Sequence, residues 1–261
     1  MKTFMDEFYA PITSRIGFLE LPFDECLARL REWNESLYTW VKVRRPKTTF
    51  PEALNDLQPL VYGSRPRELL VAAGRWTACF DSRAMGTDPE SFVGHLSKEA
   101  LCQGLIVASS APSPKEPGVR RRNGLVGFTL FGPLETDWMN EVRTVSVADN
   151  DKKASFFASG TEQWFEDPDA YLSRRVRDRF TPELLERYCR ALGIDVFNPD
   201  FYGPECALVE SSMVPRPDRV EPSIAEGARV VVEAASLRQV SLAEAQSEQG
   251  IVPGEALGVR W

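Results

Sequence analysis

The chain has 261 residues, of which 43% are hydrophobic and 26% charged, and its net charge is −7. These values are ordinary for a globular protein, and a chain of this length can bury a sizeable core without disulfide bonds or metal ions. The excess of acid argues against non-specific binding to nucleic-acid phosphates, which requires a basic surface.

The N-terminal part, residues 1–66, is predicted to be mainly helical. Residues 21–41 form its first strong helix, because large apolar side chains recur there at helical spacing and Asp24 can cap the start. The next segment, residues 44–59, is predicted to be a loop that contains one short helical turn.

Residues 67–214 are predicted to form a core centred on a β-sheet. A hairpin opens this core, because the apolar strands 68–74 and 76–82 meet at a Gly-Arg turn. A helix over residues 88–104 follows, with Asp88 as its cap and a proline in its first turn.

Four strands are predicted after this helix. The first covers residues 105–111, and three more follow at 125–133, 142–148 and 154–160. The loop 112–124 is rich in proline, glycine and arginine and is expected to be exposed. Short turns between successive strands are typical of an antiparallel meander.

Helices and strands are also predicted in the last third of the chain. Two helices are expected over residues 167–180 and 181–193, the second beginning with Thr-Pro and ending at a glycine. Strands at 205–214 and 227–237 and a short helix at 241–250 complete the pattern.

Together these elements predict an α+β fold. It consists of a largely antiparallel sheet, a meander of roughly six to eight strands, with helices packed against it. We expect residues 1–261 to form a single globular unit, in which residues 215–261 are a C-terminal extension of the sheet-centred core.

The chain is expected to be cytoplasmic and to carry no cofactor. No long apolar run follows the first lysine, which argues against a secretory signal, and the longest apolar runs are too short to cross a bilayer. The five cysteines are odd in number and include no C-x-x-C pair. They therefore indicate a reducing compartment and argue against a disulfide framework or a zinc site.

The sequence contains little catalytic equipment. His95 is the single histidine, which excludes a multi-histidine metal centre and leaves a serine or cysteine nucleophile only one possible base. No G-x-S-x-G, P-loop or G-x-G-x-x-G motif occurs. We therefore expect a protein that is not an enzyme, with His95 a packed or solvated side chain on its helix.

Carboxylates offer the remaining route to catalysis. Glu135, Asp137 and Glu141 cluster after a Gly-Pro turn and could do acid–base chemistry, although acids beside such a turn are usually solvated. Asp137 with the Asp-Lys-Lys tripeptide 151–153 also matches the letters of a metal-dependent nuclease motif. That tripeptide falls where a hairpin turn is predicted, whereas metal-binding acids should project from adjoining strands.

Two arginine-rich stretches have the composition of a nucleic-acid-binding patch. Residues 174–179 contain four arginines but adjoin an acidic stretch, so ion pairs are the simpler interpretation. Residues 120–122 form a triplet within the exposed loop and are expected to be solvated. Neither stretch predicts nucleic-acid binding.

Three acidic segments without lysine or arginine contain large aromatic residues. They are residues 132–142, which end one predicted strand and begin the next, residues 160–169, and residues 193–205. The second places Trp164 beside Phe165 among four acids. In a regular strand these two rings would face opposite sides, so that one enters the core and the other meets solvent or a partner.

Aromatic anchors surrounded by charge suit protein recognition, and a negative surface steers a basic partner towards it. Together the three segments therefore predict an acidic partner-binding surface, whose candidate residues lie in the first two. Its candidate residues are Glu135, Asp137, Trp138, Glu141, Glu162, Trp164, Phe165, Glu166, Asp167 and Asp169.

Residues 140–203, together with residues 74–82, resemble a group of bacterial immunity proteins that are paired with secreted toxins. More narrowly, the size and acidity of the chain are similar to those of immunity proteins for type VI secretion nuclease effectors. The resembling segments cover about a third of the chain and contain no diagnostic motif, so no functional residue is carried over. The resemblance implies a cytoplasmic protein that protects the producing cell by binding the toxin.

The expected partner is therefore a cognate toxin protein, a basic nuclease domain, rather than a nucleic acid or a membrane. Two alternatives stay open. One is a carboxylate-dependent enzyme, and the other is a regulatory module that binds an endogenous partner.

Overall fold

The computed structural model describes residues 1–62, 67–113, 122–149, 153–212 and 238–254. Within these ranges nine strands form one sheet in which all neighbouring strands are antiparallel. Helices pack against this sheet, which confirms the predicted α+β fold.

The strands are β1 (Arg15–Leu19), β2 (Val41–Arg44), β3 (Leu60–Val61), β4 (Glu68–Ala73), β5 (Trp76–Asp81), β6 (Gly104–Ser110), β7 (Gly124–Phe131), β8 (Glu141–Asp149), β9 (Ala154–Gly160), β10 (Cys206–Ser211) and β11 (Gln239–Val240). The main sheet has the order β2-β10-β4-β5-β1-β6-β7-β8-β9, and β3 pairs with β11 separately. The predicted β4–β5 hairpin and the β6–β9 meander are both present.

The helices of the described ranges are α1 (Phe23–Leu37), α2 (Glu90–Glu99), α3 (Pro168–Tyr171), α4 (Pro182–Ala191) and α5 (Leu242–Glu248). Short 3₁₀ turns cover residues 4–7, 12–14, 52–57, 176–178 and 199–201. The turn at 52–57 is the one predicted inside the first long loop.

Two layers of side chains hold the sheet between them. One face carries the larger core, in which strand residues such as Phe18, Phe128 and Val145 pack against α4 and the turns at 4–7 and 52–57. The other face carries α1 and α2, whose apolar side chains pack over β10, β4, β5 and β1. The alternation of buried and half-buried residues along β8 follows from this arrangement.

The helix α2 lies directly on the backbone of β1 and β6. A Cβ atom on Gly17 would lie 2.6 Å from Cβ of Pro89, and one on Gly104 would clash with Cγ1 of Val93. Glycine is therefore required at both positions, because a side chain there would push the helix away from the sheet.

Several predicted boundaries differ from the structure. The strand β1 was not predicted, although it lies in the middle of the sheet, so the N-terminal part supplies both helix and sheet. The caps assigned to Asp24 and Asp88 are wrong, because the cap positions are Pro22 and Pro89 and neither has a side-chain cap bond.

The helix predicted over residues 167–180 is replaced by α3 and the turn at 176–178. The reason is tertiary: Arg177 binds Asp149 at 2.8 Å, and the guanidinium of Arg179 lies over the ring of Phe156. These contacts hold the chain against β8 and β9 instead of allowing a continuous helix.

The predicted start and end of the helix over residues 181–193 agree with the structure. Thr181 accepts a hydrogen bond from the Leu184 N–H and caps α4, and Gly193 follows that helix with φ of +82°. The strand predicted at residues 227–237 lies outside the described residues.

Replacing Gly104 by Ala should destabilise the protein by about 1–3 kcal/mol, because the new methyl group clashes with Val93 of α2. The matched control is Gly127→Ala on the neighbouring strand β7, where the added Cβ makes an ordinary contact of 3.5 Å with Ala108. That control should be neutral or slightly stabilising. Urea unfolding measures the stability of both variants. Equal changes in the free energy of unfolding would contradict the close packing of α2.

Candidate partner-binding surface

The helix-bearing face of the sheet is only partly covered. The helices α1 and α2 pack over β10, β4, β5, β1 and β6, and a groove of about 580 Å³ lies beyond them along β6, β7, β8 and β9. The start of α2 forms one wall of this groove, and the edge strand β9 lies at the opposite side.

A row of small side chains forms the middle of the groove floor. In the strand register, Arg15 stands opposite Ala108, which is followed in turn by Gly127, Ser146 and Phe157. Neighbouring strands are about 4.8 Å apart, so the row spans about 19 Å from the arginine to the phenylalanine. The result is a trench with a cation at one end and an aromatic ring, 55% exposed, at the other.

The floor of the groove on β7 to β9 carries no charge between its ends. Apart from Glu141 at the start of β8, the residues of these strands that line the groove are Leu125, Gly127, Phe128, Thr129, Phe131, Thr144, Ser146, Phe157 and Ser159. Depletion of charge at the centre of a surface patch is typical of protein interfaces. An ordinary solvated sheet face would carry its share of the charged residues.

Charged side chains surround this uncharged floor. Glu90 at the start of α2 and Glu141 are acidic, and Asp88 is already paired with Arg83 at 2.9 Å. Arg15 is exposed and forms no ion pair with any residue in the described ranges. The rim of the groove is therefore mainly acidic.

The loop between β7 and β8 is fixed against α2. The side-chain amide of the buried Asn140 donates hydrogen bonds to the Gly94 carbonyl at 3.0 Å, to Ser97 Oγ at 2.9 Å and to the Gly132 carbonyl at 2.7 Å. The loop is thereby held in one position, and it presents the indole of Trp138, which is 67% exposed, at the groove.

The predicted acids of this loop are on the surface. Glu135 pairs with Lys98 of α2, and this lysine lowers the pKa of the carboxyl. Asp137 is exposed, and Glu141 accepts a hydrogen bond from the hydroxyl of Thr144. The three acids thus flank the groove but do not form a buried catalytic cluster.

The segment after β9 buries one of its two aromatic rings and exposes the other. Phe165 is buried against Phe128 and Tyr188, whereas Trp164 is 82% exposed. The backbone forms a turn here, with the Glu166 N–H donating to the Gln163 carbonyl. The two rings stay in edge-to-face contact, with centroids 5.5 Å apart, so they do not lie on opposite faces of a strand. Phe165 belongs to the core, which corrects its assignment to the partner-binding surface.

Glu166 does not belong to the partner-binding surface either. Its side chain is 1% exposed and forms a bidentate ion pair with the buried Arg143, with contacts of 2.9 Å and 2.7 Å. The same carboxylate accepts hydrogen bonds from the Gln163 N–H and the Tyr171 hydroxyl. It has no capacity left for a partner, because its acceptor sites are filled within the fold.

The remaining acids of the segment are accessible. Asp167 pairs with Arg187 at 2.9 Å, and a hydrogen bond from this arginine lowers the pKa of the carboxyl. Glu162 and Asp169 are exposed. Three of the four carboxylates in this segment are therefore accessible to solvent.

The structure brings the first two acidic segments together. Antiparallel pairing places the start of β8 beside the end of β9, and the Thr161 N–H donates to the Val142 carbonyl at 2.8 Å. We call the following solvent-accessible residues of the two segments the acidic end: Asp137, Trp138, Glu162, Trp164 and Asp169, which are exposed, and Glu141, which is half-buried.

The third acidic segment, residues 193–205, does not join them. It leads into β10 at the same end of the sheet, but β10 is six positions from β8 in the strand order. Six strand spacings correspond to about 29 Å. One of its acids, Asp195, is paired with Arg190 at 3.0 Å, and Tyr202 is buried.

Two buried carboxylates were not identified from the sequence. Glu68 and Asp81 face each other across β4 and β5, and both are almost completely buried. Asp81 accepts hydrogen bonds from the backbone N–H groups of Arg83 and Asp88, while Glu68 accepts one from the amide of Asn34. Burial raises the pKa of Asp81 to about 6. This carboxyl ties the loop before α2, and hence the groove wall, to β5.

The histidine, the cysteines and the remaining potential metal-binding side chains of the described ranges form no catalytic or metal site. His95 stacks on Trp33 with ring centroids 4.5 Å apart, and all five cysteines are free thiols. In the described ranges no three potential metal-binding side chains come close enough to hold an ion. Asp151 and Lys152 of the nuclease-like tripeptide lie outside those ranges.

Comparison with protein-family models, curated proteins and solved structures found no match. In the part of the chain that the structure describes, no helix has both the length and the apolar character required to cross a membrane.

Replacing Glu166 by Gln should destabilise the protein by about 3 kcal/mol, because it leaves the charge of Arg143 buried without its partner. Glu162→Gln, four residues earlier and exposed, is the control and should change the free energy of unfolding by less than about 0.5 kcal/mol. Denaturant unfolding at neutral pH distinguishes them. Similar values for the two variants would show that Glu166 is not a buried structural acid.

Asp81 should make stability depend on pH between about 4 and 6. Its pKa is raised from 3.8 to about 6 by burial, so the folded state holds a proton that the unfolded state has lost in this range. Stability therefore falls as pH rises through the range, by about 3 kcal/mol, and levels off above it.

The measurement compares the unfolding free energies of the wild type and Asp81→Asn at pH 4, 5, 6 and 7. The difference between the two proteins should change across the window, because the amide does not titrate. The exposed Asp137→Asn variant should run parallel to the wild type. A difference between wild type and Asp81→Asn that is the same at every pH would contradict the raised pKa.

Proposed function

We propose that the protein binds a basic protein partner through the acidic end and the adjoining groove. Following the resemblance, the partner is a secreted antibacterial toxin with nuclease activity, which the protein neutralises by direct contact. The observation that carries this proposal is the pair of highly exposed tryptophans, Trp138 and Trp164, among carboxylates at one end of the sheet.

Exposed tryptophans are favourable anchors for association. Each buries a large area on binding and loses little side-chain entropy, and tryptophan is enriched among the residues that dominate binding energies. Trp138 stands on a loop fixed by Asn140, and Trp164 on a turn fixed by Phe165 and Glu166. The backbone that carries each ring is therefore held in place before the partner arrives, which lowers the entropic cost of binding.

The charge of the surface matches a nuclease. A protein that cleaves nucleic acid must hold phosphate groups and so presents a basic site. The accessible acids Asp137, Glu141 and Glu162 can compete for such a site and accelerate the encounter. Protection of the producing cell against such a toxin would require the inhibitor in the cytoplasm.

The surroundings of the buried carboxylates favour binding over catalysis. Asp81, whose pKa is raised, borders a cavity of only about 40 Å³, which is too small for a substrate. Of the acids considered for catalysis, Glu135 is exposed and has its pKa lowered by Lys98. These groups support structural and recognition roles rather than acid–base chemistry.

The proposal predicts that a toxin domain is encoded beside the gene of this chain. The test measures association with that domain by surface plasmon resonance at low and high salt. Four acids are replaced together by their amides, in the changes Asp137→Asn, Glu141→Gln, Glu162→Gln and Asp169→Asn. The association rate should fall at low salt and lose much of its salt dependence, because these charges steer the encounter.

Trp138→Ala and Trp164→Ala are tested singly. At least one should weaken binding by about 2 kcal/mol, because a central aromatic anchor is lost. A matched control replaces the four acids of α1, which are exposed and lie over the other half of the sheet: Asp24, Glu25, Glu32 and Glu35. If the toxin does not bind, or if the two sets of amides behave alike, the proposal is wrong.

A further inference from the structure

The helical layer on the sheet has an open position beside α2. Three strands, β7, β8 and β9, lie beyond the β6 strand on which α2 rests. Their width is about 14 Å at the usual strand spacing, and strands of seven to nine residues are about 24–30 Å long. An α-helix with its side chains is about 10–12 Å across, so the space accommodates one helix of about four turns.

The floor of this space has the same kind of residues that receive α2. On β1 and β6, Gly17 and Gly104 allow Pro89 and Val93 to reach the backbone. On β7 the corresponding small residue is Gly127, and a Cβ placed there meets only neighbouring strand side chains, at 3.5 Å or more. The sheet is therefore shaped for close helix packing where the described residues supply no helix.

The charges at the rim indicate what kind of helix fits. Glu90 lies at the α2 wall and Glu141 at the end nearest Trp138, while Arg15 is the basic residue among those that line the groove. A helix with an apolar stripe against the floor and basic residues on its flanks would meet these acids. A carboxylate near one end of that helix would meet Arg15.

A second copy of this chain is a poorer occupant. The open face measures about 14 by 27 Å, or roughly 380 Å² per protomer, whereas a stable interface buries about 800 Å² on each partner. The acidic rims of two copies would also repel each other. A helix that enters the groove is instead contacted by the floor, by the start of α2, and by Trp138 and Phe157.

We infer that the groove receives a basic amphipathic α-helix of the partner, which lies beside α2 and completes the helical layer. This inference rests on the proposed function and specifies how that partner is bound. The acidic end then contacts neighbouring parts of the partner, so the two regions can be tested separately.

The first experiment uses a synthetic peptide instead of the partner. The probe is an 18-residue stapled helix with an alanine and leucine stripe and lysines on both flanks. Controls are the unstapled sequence interrupted by two prolines and the stapled sequence with glutamate in place of lysine. Binding to the isotope-labelled full chain is followed by amide chemical shifts and by fluorescence anisotropy.

The helical basic peptide should bind at least tenfold more tightly than either control, and its largest shifts should fall on the floor of β7 to β9. Ser146→Trp, which fills the trench, should weaken this binding at least tenfold. Thr48→Trp, an equal addition on an exposed loop distant from the groove, should leave it unchanged.

Several outcomes overturn the inference. One is equal binding of the proline-interrupted peptide with shifts along the free edge of β9, which would indicate strand addition. Another is a set of nuclear Overhauser contacts, in the protein alone, between floor side chains such as Ser146 and a part of its own chain other than β6 to β9 and α2, which would show that its own chain covers the groove. Unchanged binding to Ser146→Trp would also overturn it.

A second measurement separates this inference from the proposed function. The toxin domain is titrated against Ser146→Trp and against the acidic-end amide variant. If both variants bind the toxin domain more weakly than the wild type does, the helix in the groove is supported. If only the amide variant binds more weakly, the inferred helix is overturned and the proposed function stands. If neither variant binds more weakly, the inferred helix and the proposed function are both overturned.

Discussion

The open surface of this protein depends on how closely α2 approaches the sheet. Because Gly17 and Gly104 lack side chains, Pro89 and Val93 rest directly on the backbone of β1 and β6. This contact fixes the helix over two central strands, from which it reaches Phe131 at the end of β7 but leaves the rest of the last three strands uncovered by the described helices. The buried Asp81 holds the start of the same helix through a backbone hydrogen bond. The groove wall is therefore set by close packing and by one buried carboxyl, independently of any partner.

The hairpin, the meander and the ends of α4 could be predicted from the sequence, because each depends on a local residue pattern. Alternating apolar residues and short turns gave the hairpin and the β6–β9 meander, and Thr181 with Gly193 gave the ends of α4. The strand β1 was missed, since five residues without turn signals gain their strand character from two neighbours far along the chain. The helix predicted at 167–180 failed for a similar reason, because Arg177 and Arg179 bind distant strands.

The candidate site was predictable only in part. A run of acids and rings showed that the segment after β9 was unusual, but it left open which of Trp164 and Phe165 lies on the surface. It did not show that Glu166 pairs with Arg143, a partner 23 residues away that becomes its neighbour only when β8 and β9 are formed. The groove itself has no local signature, because it results from the helices that do not cover Gly127 and Ser146.

The edge strand β9 has a consequence for the behaviour of the unbound protein. Its sequence, ASFFASG, contains no charge and no proline, and Phe157 is exposed. Natural edge strands usually carry charged residues or proline, because an unprotected edge is a template for pairing with other chains. Mutual repulsion from the net charge of −7 opposes such association. The salt content of the solution should thus decide how long the isolated protein stays monodisperse, since counter-ions weaken the repulsion that keeps these edges apart.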